Sequence, residues 1–183
     1  KYGRNRIELI IFKYNKYKQL LIKTEMVNYS DKPQLAENLN ETNDCFVRAL
    51  AVSANISYNE AHGIAEELFN RSPQKGTKFV DSIIRSEKGR NYFQDRNIEL
   101  KAIPHTYVRP RDKRVYPLNI RGFINSFKKG TYLITVNKHA LAIVDGVIHD
   151  WSNKVKQNNW GNLGRTIKSV YRVENNRQLG LFA

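Results

Sequence analysis

The apolar positions along the chain change period partway through. Behind Asn43-Asp44, which can cap a helix, Phe46, Ala49, Leu50 and Ala54 recur at helical spacing over residues 45–54. Ser57 followed by Glu60 is a capping-box pattern and opens a second helix to about Asn70. Tyr58, Ala61, Ala65, Leu68 and Phe69 supply its buried face. Thr77 reads as the cap of a third helix, striped by Phe79, Val80, Ile83 and Ile84 and ending near Gly89. The period then shortens to two. Residues 98–103 alternate and stop at Pro104, as a strand does. Residues 109–114 read as a basic loop and 119–127 as a short helix. Strands are expected at 132–136, 139–144 and 147–151, with a last one at 166–173. Asp145-Gly146 joins two of them and is a strong type I′ hairpin signal. Helices first and an antiparallel meander later predict an α+β fold, with the N-terminal helices packed on an antiparallel sheet. The turn signal Ser30-Asp31-Lys32-Pro33 places a boundary there. Residues 1–30 become a basic N-terminal extension and 31–183 a single domain.

The hairpin has a register that can be counted. A two-residue turn sets Val144 opposite Val147, Ile143 opposite Ile148, Ala142 opposite His149 and His139 opposite Ser152. Opposite residues share a face, and so do alternate residues of one strand. His139 and Asp150 are therefore diagonal neighbours on one face, close enough for a hydrogen bond, and His149 projects from the other. A one-residue slip would replace Asp150 by His149 or Trp151.

The chain has one cysteine, which excludes an intrachain disulfide framework. Cys45 falls in the expected first turn of a helix, where unpaired N–H groups and the macrodipole favour an anion. A thiol there, with a histidine and a carboxylate on adjacent strands, has the composition of a nucleophile, base and orienter. In that arrangement His139 holds the thiolate as an ion pair and protonates the leaving group. Asp150 fixes the imidazole tautomer, and the Cys45 backbone N–H faces the oxyanion. Asn40 and Asn43 are the side-chain candidates for completing the oxyanion hole. His62 lies on the buried stripe of the second helix and reads as core. The four histidines and one cysteine lack metal-ligand spacing, so neither a metal nor a cofactor is expected.

These residues resemble the papain-like cysteine peptidases, most closely their small bacterial and phage members. The resemblance rests on Asn43-Asp44-Cys45-Phe46-Val47-Arg48-Ala49-Leu50 with the capped helix after it. It rests equally on the stretch from Gly130 to Val136 and on His139-Ala-Leu-Ala-Ile-Val-Asp-Gly-Val-Ile-His-Asp150-Trp151. It covers roughly residues 38–173. It implies a papain-like fold, a Cys45–His139–Asp150 triad in family order, and hydrolysis of a peptide or isopeptide bond. The glutamine that the family places before its cysteine would fall at Leu39 here, and the third triad member is Asp rather than Asn. The same triad also serves acyl transfer to amines.

Charge adds a second possibility. The chain carries 31 basic and 17 acidic side chains in 183 residues, a net charge of +14. Residues 26–84, which hold the cysteine, are net acidic, with five basic and eight acidic groups. The surplus lies on residues 1–25 and beyond residue 85. It predicts an anionic partner, nucleic acid or an acidic protein. Residues 109–114, flanked by Tyr107 and Tyr116, form a candidate polyanion grip, or else a solvated basic loop. The alternative function is accordingly a virion or nucleic-acid-associated structural protein that keeps the fold with little catalysis. No apolar run approaches the ~18 residues that span a membrane. No secretory signal is recognisable, so a cytoplasmic or virion-associated location is expected.

Overall fold

A computed structural model describes residues 26–28, 34–150 and 163–176 of the chain. A short helix, α1 (Gln34–Asn38), leads into α2 (Cys45–Ala54) and α3 (Tyr58–Phe69). Each long helix ends on an asparagine in the left-handed conformation, Asn55 (φ 49°) and Asn70 (φ 50°). In that conformation the chain folds its next N–H groups back onto the last turn. Ile56 N donates to Ala51 O at 3.0 Å and Arg71 N to Ala65 O at 3.1 Å. Ser57 Oγ accepts from Glu60 N at 3.1 Å, so Ser57 caps α3 as the sequence indicates.

The third expected helix is two helices, α4 (Val80–Arg85) and α5 (Glu87–Gln94). Ser86 separates them, ending the first and capping the second by accepting from Gly89 N at 3.0 Å. Gly89 was expected to stop a helix, yet it lies inside one. A Cβ there would sit 1.9 Å from the Ile83 carbonyl oxygen, so the close approach of the two helices requires glycine. Thr77 does not cap. The cap residue is Phe79, at φ 54°, and it is 76% exposed rather than part of the buried stripe.

The strands are β1 (Met26–Asn28), β2 (Ile98–Ala102), β3 (Thr106–Val108), β4 (Val115–Pro117), β5 (Thr131–Val136), β6 (His139–Val144), β7 (Val147–Asp150) and β8 (Ile167–Asn175). Between β4 and β5 lies α6 (Ile120–Ser126), capped by Asn119, which accepts from Gly122 N at 2.7 Å. Six strands form one sheet in the order β1-β7-β6-β5-β8-β2, and β3 and β4 form a separate ribbon. All neighbours in the sheet are antiparallel except β1, which runs parallel to β7. Residues 26–28, read from sequence as the end of an extension, are thus an edge strand of the sheet. Together these elements make an α+β fold.

The sheet is buried on both faces. Phe46, Leu50, Ala61, Ala65, Phe69, Ile84 and Phe93 from the helices pack against Ile98, Leu133, Ala140 and Tyr171 on one face. Ile120 and Phe123 of α6 cover Ile134, Leu141, Ile143, Ile148 and Val170 on the other. This explains why 131–136 and 139–144 read as nearly continuous apolar runs. Helix α2 lies across β6, above the small side chain of Ala140, which permits close contact. The far end of α2 is tied to β8, where Asn175 Nδ2 donates to Ala54 O at 2.6 Å. Among the described residues, no helix is long and apolar enough to cross a membrane.

Candidate active site

The β6–β7 turn has both central residues at positive φ, Asp145 (49°) and Gly146 (83°), as type I′ geometry requires. Its register is Ala142↔His149, Ile143↔Ile148 and Val144↔Val147, as counted from the sequence. His139 and Asp150 consequently meet, with Nε2 to Oδ1 at 2.7 Å. Asp150 is fully buried at its side chain and His139 is 11% exposed there. Ser152 and Trp151 lie outside the described residues. Cys45 is the other side chain that acts on the ring, raising its pKa through hydrogen bonding and charge. Pleating sends Leu141 and Ile143 to the face opposite α2.

Burial alone would push the His139 pKa down. The hydrogen bond to Asp150, the one to Cys45 and the charges of both outweigh burial and raise it to about 9. The ring is therefore cationic at neutral pH. His149 projects from the other face of β7 and behaves oppositely, because burial lowers its pKa.

Cys45 is the first residue of α2, and its first-turn N–H groups have no acceptor within the helix. An aspartate at N-cap usually fills that vacancy. Asp44 does not: it makes no side-chain cap bond. Its carboxylate turns aside and accepts from Arg48 Nε and from Tyr58 Oη, each at 2.8 Å. Burial and the neighbouring Asp44 push the Tyr58 phenol well up, which keeps it a donor. The Arg48 guanidinium offsets the negative charge that Asp44 would otherwise hold beside the thiol. The result is an open helix N-terminus with a neutralised cap, suited to an oxyanion.

The loop before Cys45 is anchored by a buried cluster with no local sequence signal. Glu41 is 1% exposed and accepts from Arg71 through both oxygens, at 2.9 and 2.6 Å, and from Gln74 N at 2.9 Å. His62 Nε2 lies 2.8 Å from the same carboxylate. Burial favours the neutral acid, yet these bonds and the Arg71 charge hold Glu41 at about 2. His62, read as core, is buried as expected and belongs to this cluster. The i,i+4 pair Asp44–Arg48 was visible in sequence. The Glu41–Arg71 pair, thirty positions apart, was not.

Of the two oxyanion candidates, Asn43 is exposed and spends its amide on Gln74 O at 3.0 Å and Thr42 Oγ1 at 3.2 Å. Asn40 is exposed too, in the left-handed conformation after α1. Among the described residues, no group of three or more His, Cys, Asp or Glu side chains is placed to hold a metal. Comparison with protein-family models, with curated proteins and with solved structures gives no match, so any family assignment rests on this geometry and on the sequence resemblance.

Proposed function

We propose that the protein is a papain-like thiol hydrolase acting on a peptide or isopeptide bond. One observation carries this reading: His139 is held at 2.7 Å by buried Asp150, and its pKa is raised as well by Cys45, the first residue of an uncapped helix. Sulfur attacks the carbonyl carbon, and the oxyanion forms against the open N–H groups of α2. Cationic His139 gives its proton to the departing amine as the C–N bond breaks, leaving a thioester on Cys45. Neutral His139 then takes a proton from water, which adds to the thioester. Collapse expels the sulfur, releases the carboxylic acid and regenerates the pair. Asp150 orients the ring throughout.

The test uses iodoacetamide and a mixed peptide library at neutral pH. Alkylation of Cys45 should be at least about tenfold slower in His139→Gln than in the parent chain. New peptide termini seen by mass spectrometry should vanish in Cys45→Ala. Equal alkylation rates in the parent and His139→Gln would remove the activated nucleophile and with it the proposal.

A further inference from the structure

Of the four exposed large hydrophobics among the described residues, Phe79 stands alone at the start of α4, and Tyr107 (45%), Val108 (56%) and Val115 (65%) lie together on the β3–β4 ribbon. The register is Thr106↔Pro117, Tyr107↔Tyr116 and Val108↔Val115. One face therefore carries the tyrosine pair and the other the valine pair. The strands continue into the tip, where Arg109 N donates to Arg114 O at 2.9 Å. The tip carries Arg109, Arg111, Lys113 and Arg114 against a single acid, Asp112. That acid is consumed locally. Arg109 Nε donates to it at 3.1 Å while the guanidinium lies 4.3 Å from the centre of the Tyr116 ring. No carboxylate among the described residues forms an ion pair with the side chains of Arg111, Lys113 or Arg114, although the Arg114 N–H donates to Asp112 at 3.1 Å, and all three residues are exposed.

The ribbon is also well placed. Its base is fixed to the sheet, because Leu118 N donates to His105 O at 2.7 Å and Ile167 N donates to Leu118 O at 3.0 Å. Ile167 pairs with Val136, and Val136 with His139. The arm therefore rises from the end of the sheet that holds His139. A two-stranded ribbon of this kind, with unpaired cations at its tip and apolar side chains on one face, needs a partner that is polyanionic outside and apolar within reach. The major groove of duplex DNA is both. It is about 12 Å wide, admits a two-stranded ribbon, is walled by phosphates and presents thymine methyl groups.

We propose that the β3–β4 ribbon is a DNA-binding arm that enters the major groove, with Arg111, Lys113 and Arg114 on the phosphates and Val108 and Val115 against the base edges. The proposal is independent of the hydrolase reading, since it uses none of Cys45, His139 or Asp150.

Fluorescence anisotropy of a labelled duplex of about 20 base pairs, titrated with the full chain over a range of salt, tests it. Affinity should fall steeply with salt. The triple variant R111S/K113S/R114S should bind about tenfold more weakly and lose about 2–3 from the log–log salt slope. A control, K75S/K78S/K88S, removes three exposed cations from the helical side and should keep a slope close to that of the parent. All six side chains are exposed, so both variants should keep the parent's circular dichroism. Equal losses in the two variants would overturn the assignment to the ribbon, as would salt-independent binding or none. Polyglutamate binding as tightly as DNA, with the same ribbon dependence, would overturn it in favour of an acidic protein.

Discussion

The His139–Asp150 pair predicts a stability that depends on alkaline pH. His139 titrates near 6.5 when unfolded and is raised to about 9 when folded, because the bonds to Asp150 and Cys45 outweigh burial. The folded state thus holds this proton more tightly than the unfolded one. The resulting stabilisation is complete below about pH 6.5 and is lost as pH rises through 9. At about 1.4 kcal/mol per pH unit, the gap between the two midpoints is worth about 3 kcal/mol. Little is lost to screening, since the His139 side chain is only 11% exposed. Urea unfolding at a series of pH values between 6 and 10, for the parent and His139→Gln, isolates this share from other titrating groups. The stability difference between the two should shrink by about 3 kcal/mol across that window. Nitrogen NMR of the ring should place the midpoint near 9. Asp150→Asn should lower it more than Cys45→Ala does, because the Asp150 bond is the larger of the two raising influences. A stability difference that stays flat from pH 6 to 10, or a ring that titrates near 6.5, would refute the reasoning.

Two further outcomes test the scaffold. Glu41→Gln keeps the shape of a fully buried side chain but leaves Arg71 with an unpaired charge, so urea unfolding should show a loss of about 3–5 kcal/mol at neutral pH. The same carboxylate gives the parent an acid limit: with Glu41 held at about 2, its contribution is present above the usual value of 4.5 and disappears as pH falls through 2, a loss absent from the variant. Gly89→Ala should cost about 3 kcal/mol or more by thermal or urea denaturation, because the new Cβ meets backbone oxygen rather than a yielding side chain. A neutral Gly89→Ala would show that α4 and α5 can separate freely.

The parts of this protein legible in sequence are those fixed by neighbours along the chain. Ser57 with Glu60, Asn119 before Ile120 and the Asp145-Gly146 turn each determine local backbone, and each element begins or turns where they indicate; α2 begins at Cys45 as expected, but without a side-chain cap from Asp44. Counting from the turn was enough to bring His139 to Asp150. Sequence failed where the deciding contact was distant or tertiary. Gly89 looks like a helix stop until the Ile83 carbonyl is seen beside it. Glu41 and Arg71 are two unremarkable surface types until folding buries both against each other. Residues 26–28 carry no strand pattern of their own, and their place is set by the open edge of β7. The residues flanking 109–114 gave no sign that the basic loop would be carried on a paired ribbon.

The three side chains at the end of the sheet differ in how far apart they start. His139 and Asp150 are eleven positions apart within one hairpin, a closure that costs little chain entropy. Cys45 is translated long before either, and it meets them only when α2 docks across strands made far later. During synthesis Cys45 is therefore without His139 until β6 and β7 have emerged. The imidazole–carboxylate pair, by contrast, is ready as soon as its hairpin closes. On the hydrolase reading, assembly order alone leaves the sulfur without its activating partner while the polypeptide is still a thread of exposed peptide bonds.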